Sequence, residues 1–435
     1  MKLLFVIPEF PPDFGGGIGS YYGAFVPALR AQGCEVKILK GSAFVHGEKS
    51  YKHEDILVSV LETERFEKWA GRFEHFTMFP ELRRHLAAAF ALHEQANEGD
   101  GFDVVEVTDW GMLFLPWIIK AHSRVMVELH GSNGQIALNE QVIGREAEQT
   151  FSIFLEKLAL KSAPTLSAQS RANILWWKNN LSRPVNYLPP PLKQNSAQEK
   201  ISSNGWLAIG RIQHWKGPQV ACSAWELLGK QAPPLNWIGG DTVHGESGES
   251  ASTWLQQKFP TVWEKKIQPI GRVTSDQWLQ RICAAKVVVI PSLWDTYNLV
   301  AAEAMSLGKV VVISDGAGAA DLVQHGVNGF IFPKGDAAAL AKLVEHVENL
   351  NQEELEEIGQ TAAVTVRKQL DPTHIAAEKI KLYRSLPEPE VNQLSWLREC
   401  LLPATKAKPL AFLDGLPLKD LTAYVARRGL KKISR

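Results

Sequence analysis

Cysteine is scarce in this sequence: Cys34, Cys222, Cys283 and Cys400 are the only four, and no two form a C-x-x-C pair. That excludes a disulfide framework, argues against a zinc site and points to a reducing, cytoplasmic setting. Neither sign of charge is in excess, with 47 Lys+Arg against 47 Asp+Glu; a nucleic-acid binder would carry a clear basic surplus. Long hydrophobic runs are missing too. The longest, "MLFLPWII", is less than half a membrane span. The opening "MKLLFVIPEFPPD" breaks at Pro8 and Glu9 before a secretory apolar region could form, so it reads as a first strand. No repeat at solenoid periods is visible. The expectation is a soluble cytoplasmic protein, at most peripheral to the inner face of a membrane.

What is present is alternation. Short apolar runs rich in β-branched residues ("KLLFVI", "EVKIL", "DVVEV", "RVMVEL", then "GWLAIG", "LNWIGG", "KVVVIP", "KVVVIS") are separated by amphipathic stretches such as "SYYGAFVPALRAQG" and "DAAALAKLVEHVENL". This predicts α/β architecture, with parallel sheets covered by helices. A chain of 435 residues is too long for one comfortable core. The Pro-rich, then polar stretch "LPPPLKQNSAQEKISSNG" (188–205) is the linker candidate, with a fresh strand starting at Trp206. The expected domains are therefore residues 1–190 and 205–370. Ligands of open parallel sheets bind at the carboxyl ends of the strands, so two such domains facing each other enclose a cleft.

Three loops that follow strands carry the chemistry. In "PEFPPDFGGGIGSYY" the glycine spacing fails the dinucleotide fingerprint, and no G-K-[ST] follows. What remains is either a tight turn or a glycine loop whose amides meet an anion at a helix N-terminus. In "GRIQHWKGPQ" a guanidinium, Arg211, and an ammonium, Lys216, share one short loop, as a diphosphate requires; the plainer reading is two solvated cations. In "PSLWDTYNLVAAEAM" a helix is expected to start at Asn298, with Asp295 in the loop ahead and Glu303 more than a turn inside. Glu303 could accept ribose hydroxyls and Asp295 those of another polyol; the plainer reading is a cap and a solvated glutamate.

Taken together these residues resemble the family 4 retaining glycosyltransferases of the GT-B fold, which use nucleotide sugars and consist of two facing Rossmann-like domains around a deep interdomain cleft. The resemblance runs from about residue 1 to about 386, and its signatures arrive in order: "PPDFGGGIGSY", "VMVELHGS", "GRIQHWKG" and "PSLWDTYNLVAAEAMSLGKVVVISDGAGAADLVQHGVNGFIF". It implies that Gly16 and Gly17 present amides to the donor diphosphate or sugar, and that Arg211 and Lys216 grip that diphosphate. It implies further that Glu303 holds the ribose, Asp295 contacts the transferred sugar, and amides at Asn298 and Leu299 cap the distal phosphate. Backbone at Gly271 and Val273 would meet the nucleobase, and His130 would lie beside sugar and acceptor. The implied activity is transfer, without a metal, cofactor or named nucleophile, from a UDP-, GDP- or ADP-sugar to a hydroxyl on a glycan, glycolipid or small molecule. A sugar-nucleotide epimerase and a non-catalytic nucleotide-sugar binder are the alternatives. A C-terminal helix at 371–386 is expected to pack back on the first domain.

The sequence departs from the family pattern at named positions. Asp295 stands for the usual Glu, Asn298 for Gly, Asp321 for Glu, and Glu106 and Asp109 stand where histidines are common. The linker "LPPPLK" replaces an Asn-Gly turn. Phe66, Trp69, Phe73 and Phe76, at helical spacing, read as core before they read as an acceptor platform. The extension 387–435 ends "KDLTAYVARRGLKKISR", with Leu418, Leu421 and Val425 on one side. Its cations read as complements of a helix dipole, or, more sharply, as contacts to an anionic membrane surface.

Overall fold

The structure, a computed structural model, describes residues 1–12, 16–140, 145–193, 205–244, 248–389, 394–402 and 418–433. Most of the linker candidate, 194–204, lies outside them. Two sheets form. The first has eight strands: Lys2–Ile7 (β1), Glu35–Lys40 (β2), Tyr51–His53 (β3), Ile56–Val60 (β4), Val104–Thr108 (β5), Arg124–Leu129 (β6), Leu166–Ala168 (β7) and Asn186–Tyr187 (β8), in the order β3-β4-β2-β1-β5-β6-β7-β8. The second has six: Trp206–Ile209 (β9), Leu235–Ile238 (β10), Ile267–Gly271 (β11), Val287–Ile290 (β12), Val310–Ser314 (β13) and Phe330–Phe332 (β14), in the order β11-β10-β9-β12-β13-β14. Every pairing is parallel except β3 with β4, a tight hairpin at Glu54 and Asp55, both with positive φ.

The apolar runs form these sheets because both faces are buried. Leu4 and Val6 of β1 face one core, and Leu3, Phe5 and Ile7 face the other. Likewise Val287 and Val289 of β12 point away from Val288 and Ile290. A two-residue period with apolar side chains on both phases marks a sheet covered by helices on both sides. Strands β3, β4, β7, β8, β11 and β14 were not legible as apolar runs, being short or mixed in polarity.

The aromatic stripe Phe66, Trp69, Phe73 and Phe76 lies in the core beside the first sheet. Downstream of the second sheet, helix Gln352–Gln369 packs on that sheet through Ala362 and Val366. Helix Pro372–Arg384 then returns to the first sheet, where Ile375, Ala376, Ile380 and Tyr383 pack against Tyr21, Tyr22 and Phe25. Among the described residues, helices Ser395–Leu401 and Leu418–Ile433 follow; the first buries Leu397 and Leu401 in the same core as the stripe. Among the described residues no helix is long and apolar enough to cross a membrane.

Candidate functional site

The carboxyl ends of the two sheets meet. Thr296, after β12, donates its hydroxyl to the His130 carbonyl after β6 (2.9 Å) and accepts from Ser170 after β7 at its own carbonyl (2.7 Å). Gly318 closes the same junction: a Cβ there would lie 2.3 Å from the Thr296 carbonyl, so only glycine permits this approach. The amide of Arg171 donates to Asp321 (2.7 Å), which gives that family-divergent acid a definite partner. Gly17, at the start of helix Gly17–Ala31, comes within reach of Leu299: a Cβ on it would be 3.9 Å from that side chain.

Within this junction, helix Leu299–Ser306 begins at Asn298, as its sequence indicates. The Asn298 side chain accepts from the Ala301 amide (3.1 Å) and donates to Asp295 Oδ2 (2.9 Å). Lys216 Nζ lies 2.5 Å from the same oxygen. Lys216 and Asp295, read separately as a diphosphate ligand and a sugar ligand, are thus an ion pair, and the backbone ties their loops through the Leu293 amide and the Trp215 carbonyl (2.9 Å). Glu303 differs from both. Its carboxyl is partly buried and makes no hydrogen bond or ion pair among the described residues, and burial alone pushes its pKa up to about 8.

Arg211 is exposed and faces Glu140, whose Oε1 accepts from Gln213 Nε2 (3.1 Å) across the junction. Burial raises the Glu140 pKa, opposed by the Gln213 amide, Arg211 and Trp215. Among the described residues Gln213 Oε1 is buried without a partner, and Trp215 Nε1 lies near Glu140 without completing a hydrogen bond to it. At Gly16, Glu9 supplies an unexpected anion: its Oε1 accepts from the Gly19 amide (2.9 Å), and a Cβ on Gly16 would lie 2.0 Å from that oxygen. Gly15 is outside the described residues. Three of the positive features read as donor ligands therefore have a carboxylate of the protein nearby: Arg211 acts on Glu140, Lys216 pairs with Asp295, and the glycine loop meets Glu9.

His130 is held on several sides. Its amide donates to Asp109 Oδ1 (2.8 Å), and its Nδ1 accepts from Gln169 Nε2 (2.7 Å), which leaves the ring proton on Nε2. That nitrogen is buried without a partner among the described residues, and burial holds the ring pKa down to about 3, so the imidazole is neutral. Gly271 and Val273 lie on the edge strand β11 and just after it; the Gly271 carbonyl accepts from the Gly239 amide (2.9 Å), leaving less backbone there for a base than its sequence suggests.

Glu9, Glu140, Gln169 and Gln213 were missed as site residues. Glu9 and Gln213 sit inside motifs already singled out, but nothing in one dimension marks them as facing the cleft. Two cavities of about 420 and 430 Å³ lie elsewhere, one beside the amino ends of β1, β5 and β6 and the other around Phe330 and His346. Among the described residues no cluster of three or more His, Cys, Asp or Glu could hold a metal.

Residues 203–349 match the family model described as Glycosyl transferases group 1. An uncharacterised glycosyltransferase of Methanocaldococcus jannaschii is 32% identical over 364 residues, covering 77% of this chain and 86% of that protein. A D-inositol 3-phosphate glycosyltransferase of Jonesia denitrificans is 27% identical over 179 residues, 40% of this chain and 41% of that protein. Among solved structures, sucrose-phosphate synthase from Thermosynechococcus elongatus superposes with a TM-score of 0.65 at 18% identity, over 88% of this chain and 98% of that one. Anabaena Alr3699/HepE, solved in complex with UDP and glucose, gives 0.64 at 18% identity, over 89% and 100%.

Proposed function

The chain belongs to the group 1 glycosyltransferases, enzymes of the GT-B fold, and from that premise we propose that it moves a sugar from a nucleotide diphosphate sugar to a hydroxyl acceptor, with retention and without a metal. The observation that carries this reading is Glu303. A carboxyl with no partner among the described residues, partly buried in the helix that follows β12, is costly unless a ligand completes it. The two hydroxyls of a ribose would do so. That HepE was solved with UDP and glucose at the same fold supports a nucleotide sugar as donor.

The residues around Glu303 suit the reaction. As the glycosidic bond breaks, negative charge grows on the leaving diphosphate. Arg211, Lys216 and the amides at the start of helix Leu299–Ser306 would meet it, favouring the transition state over the ground state. These cations would supply what a divalent metal supplies in other sites. Gly16 and Gly17 would approach the diphosphate or sugar after Glu9 yields, Val273 would meet the base, and Asp295, held by Lys216 and Asn298, would receive sugar hydroxyls.

Calorimetry with UDP, GDP and ADP tests the reading. The expected result is that one nucleotide binds, Glu303→Ala weakens it at least about tenfold (a loss of about 1.4 kcal/mol), and Asp295→Ala stops transfer while leaving nucleotide binding nearly intact. A wild type that binds none of the three would overturn it. Retention is checked by NMR of the first-formed anomer. Loss of activity in EDTA, restored by manganese, would sink the metal-free mechanism.

A further inference from the structure

Glu106 and Asp109, where the family often has histidine, have defined places in the structure. Asp109, fully buried, accepts the amides of His130 (2.8 Å) and Gly131 (3.2 Å). Glu106, 1% exposed, accepts the hydroxyls of Tyr22 (2.8 Å) and Tyr383 (2.7 Å). Lys379, on helix Pro372–Arg384 and 0% exposed, lies 3.1 Å from Glu106 and 2.5 Å from Glu128, two residues before His130. Between this triad and the cleft stand Tyr21 and Tyr22, whose ring centroids are 4.9 and 5.5 Å from that of His130.

We propose that Lys379 is a positioning residue for His130: by neutralising Glu106 and Glu128 behind the Tyr21–Tyr22 pair, it fixes the histidine ring and its charge environment at the cleft. This rests on the reading in which His130 lies beside the transferred sugar. A buried ion pair is a weak device for stability alone, since packed apolar side chains of the same volume often do as well or better. This triad also leaves Glu128 Oε1 buried without a partner. What it does supply is a cation fixed one aromatic layer behind the His130 ring, whose Nε2 has no partner among the described residues. The charges act on the ring in opposite senses: Glu106 pushes its pKa up, Lys379 pushes it down, and burial is the largest influence, also downward. The polar and titratable groups around His130 include Tyr21 and Tyr22 from helix Gly17–Ala31, Glu106 in β5 and Asp109 just after it, Glu128 from β6, Gln169 after β7, Thr296 after β12, and Lys379.

A double-mutant cycle tests the link. Lys379→Met is expected to slow turnover of UDP-, GDP- or ADP-glucose at least about tenfold while the Kd of the matching nucleotide changes less than about twofold, and His130→Ala to do the same. The double variant should then be no slower than His130→Ala alone; losses that multiply overturn the proposal. If Lys379→Met does not fold, Tyr21→Leu, which removes a ring between lysine and histidine, carries the same cycle. Imidazole ¹⁵N spectra give a readout independent of turnover. Wild-type His130 should stay a single neutral tautomer protonated on Nε2 down to about pH 5, and the variant should lose that single state; an unchanged spectrum overturns the proposal. If the wild type neither binds a nucleotide nor turns over a donor, the functional reading falls, and the spectra still decide the coupling.

Discussion

At Asn298 the backbone is left-handed, with φ of 79°, a conformation that costs most side chains energy and glycine none. The family's usual glycine fits there for that reason, and asparagine is the side chain that tolerates the conformation while adding a cap. Asn298→Gly should therefore cost less than about 1 kcal/mol, and Asn298→Ala, which loses the cap and adds strain, about 2 kcal/mol, measured by urea unfolding. Glu303 gives a pH-dependent prediction. Its folded pKa, about 8, is raised above the ordinary carboxyl value. A group raised on folding stabilises fully below its unfolded pKa of about 4.3, and that contribution is lost as pH rises through about 8. Glu303→Gln should thus raise the ligand-free melting temperature by a few degrees at pH 8 and leave it nearly unchanged at pH 4, while weakening nucleotide binding.

Loops that follow parallel strands form the site, because the carboxyl ends of two sheets are brought face to face. The loop bearing Arg211 and Lys216 is joined to the opposite sheet by the Gln213–Glu140 hydrogen bond. On the proposed function, a diphosphate arriving at Arg211 would meet the negative charge of Glu140, and like charges in a partly desolvated cleft repel by more than they would in water. Glu140→Gln keeps the shape and an acceptor oxygen but removes the charge. It should tighten nucleoside diphosphate binding about fivefold in calorimetry, and weaker binding would show Glu140 to be a ligand instead.

Across the whole molecule, the chain returns from the second sheet to the first through helix Pro372–Arg384. Truncation before Pro372 would strip Ile375, Ile380 and Tyr383 from the core and leave Glu106 and Glu128 buried without their lysine. Removing one partner of a buried pair costs about 3–5 kcal/mol before the lost packing is counted. The truncated chain should be cut far faster than the full chain in limited proteolysis, first within the sheet of β1–β8.

The repeating pattern determined the central strands: runs such as "KVVVI" read as strands buried on both faces, while the short or mixed outer strands did not show in it, and the glycine and Pro-Ser stretches that end the runs read as loops. The cap at Asn298 and the place of Glu303 within its helix were legible for the same reason, since capping and helical spacing are local. Partnership was not. An acid inside an apolar strand, as in "DVVEV" or "RVMVEL", signals that a counter-charge must exist, but only the fold brings Lys379 to Glu106 and Glu128 from some 250 positions away. In the same way tertiary structure paired Lys216 with Asp295, set Glu9 against the glycine loop and left Glu303 without a partner among the described residues. Period and local hydrogen bonding act over a few residues and survive in the sequence. Electrostatic satisfaction of a buried group acts through space, so it exists only once the sheets have met.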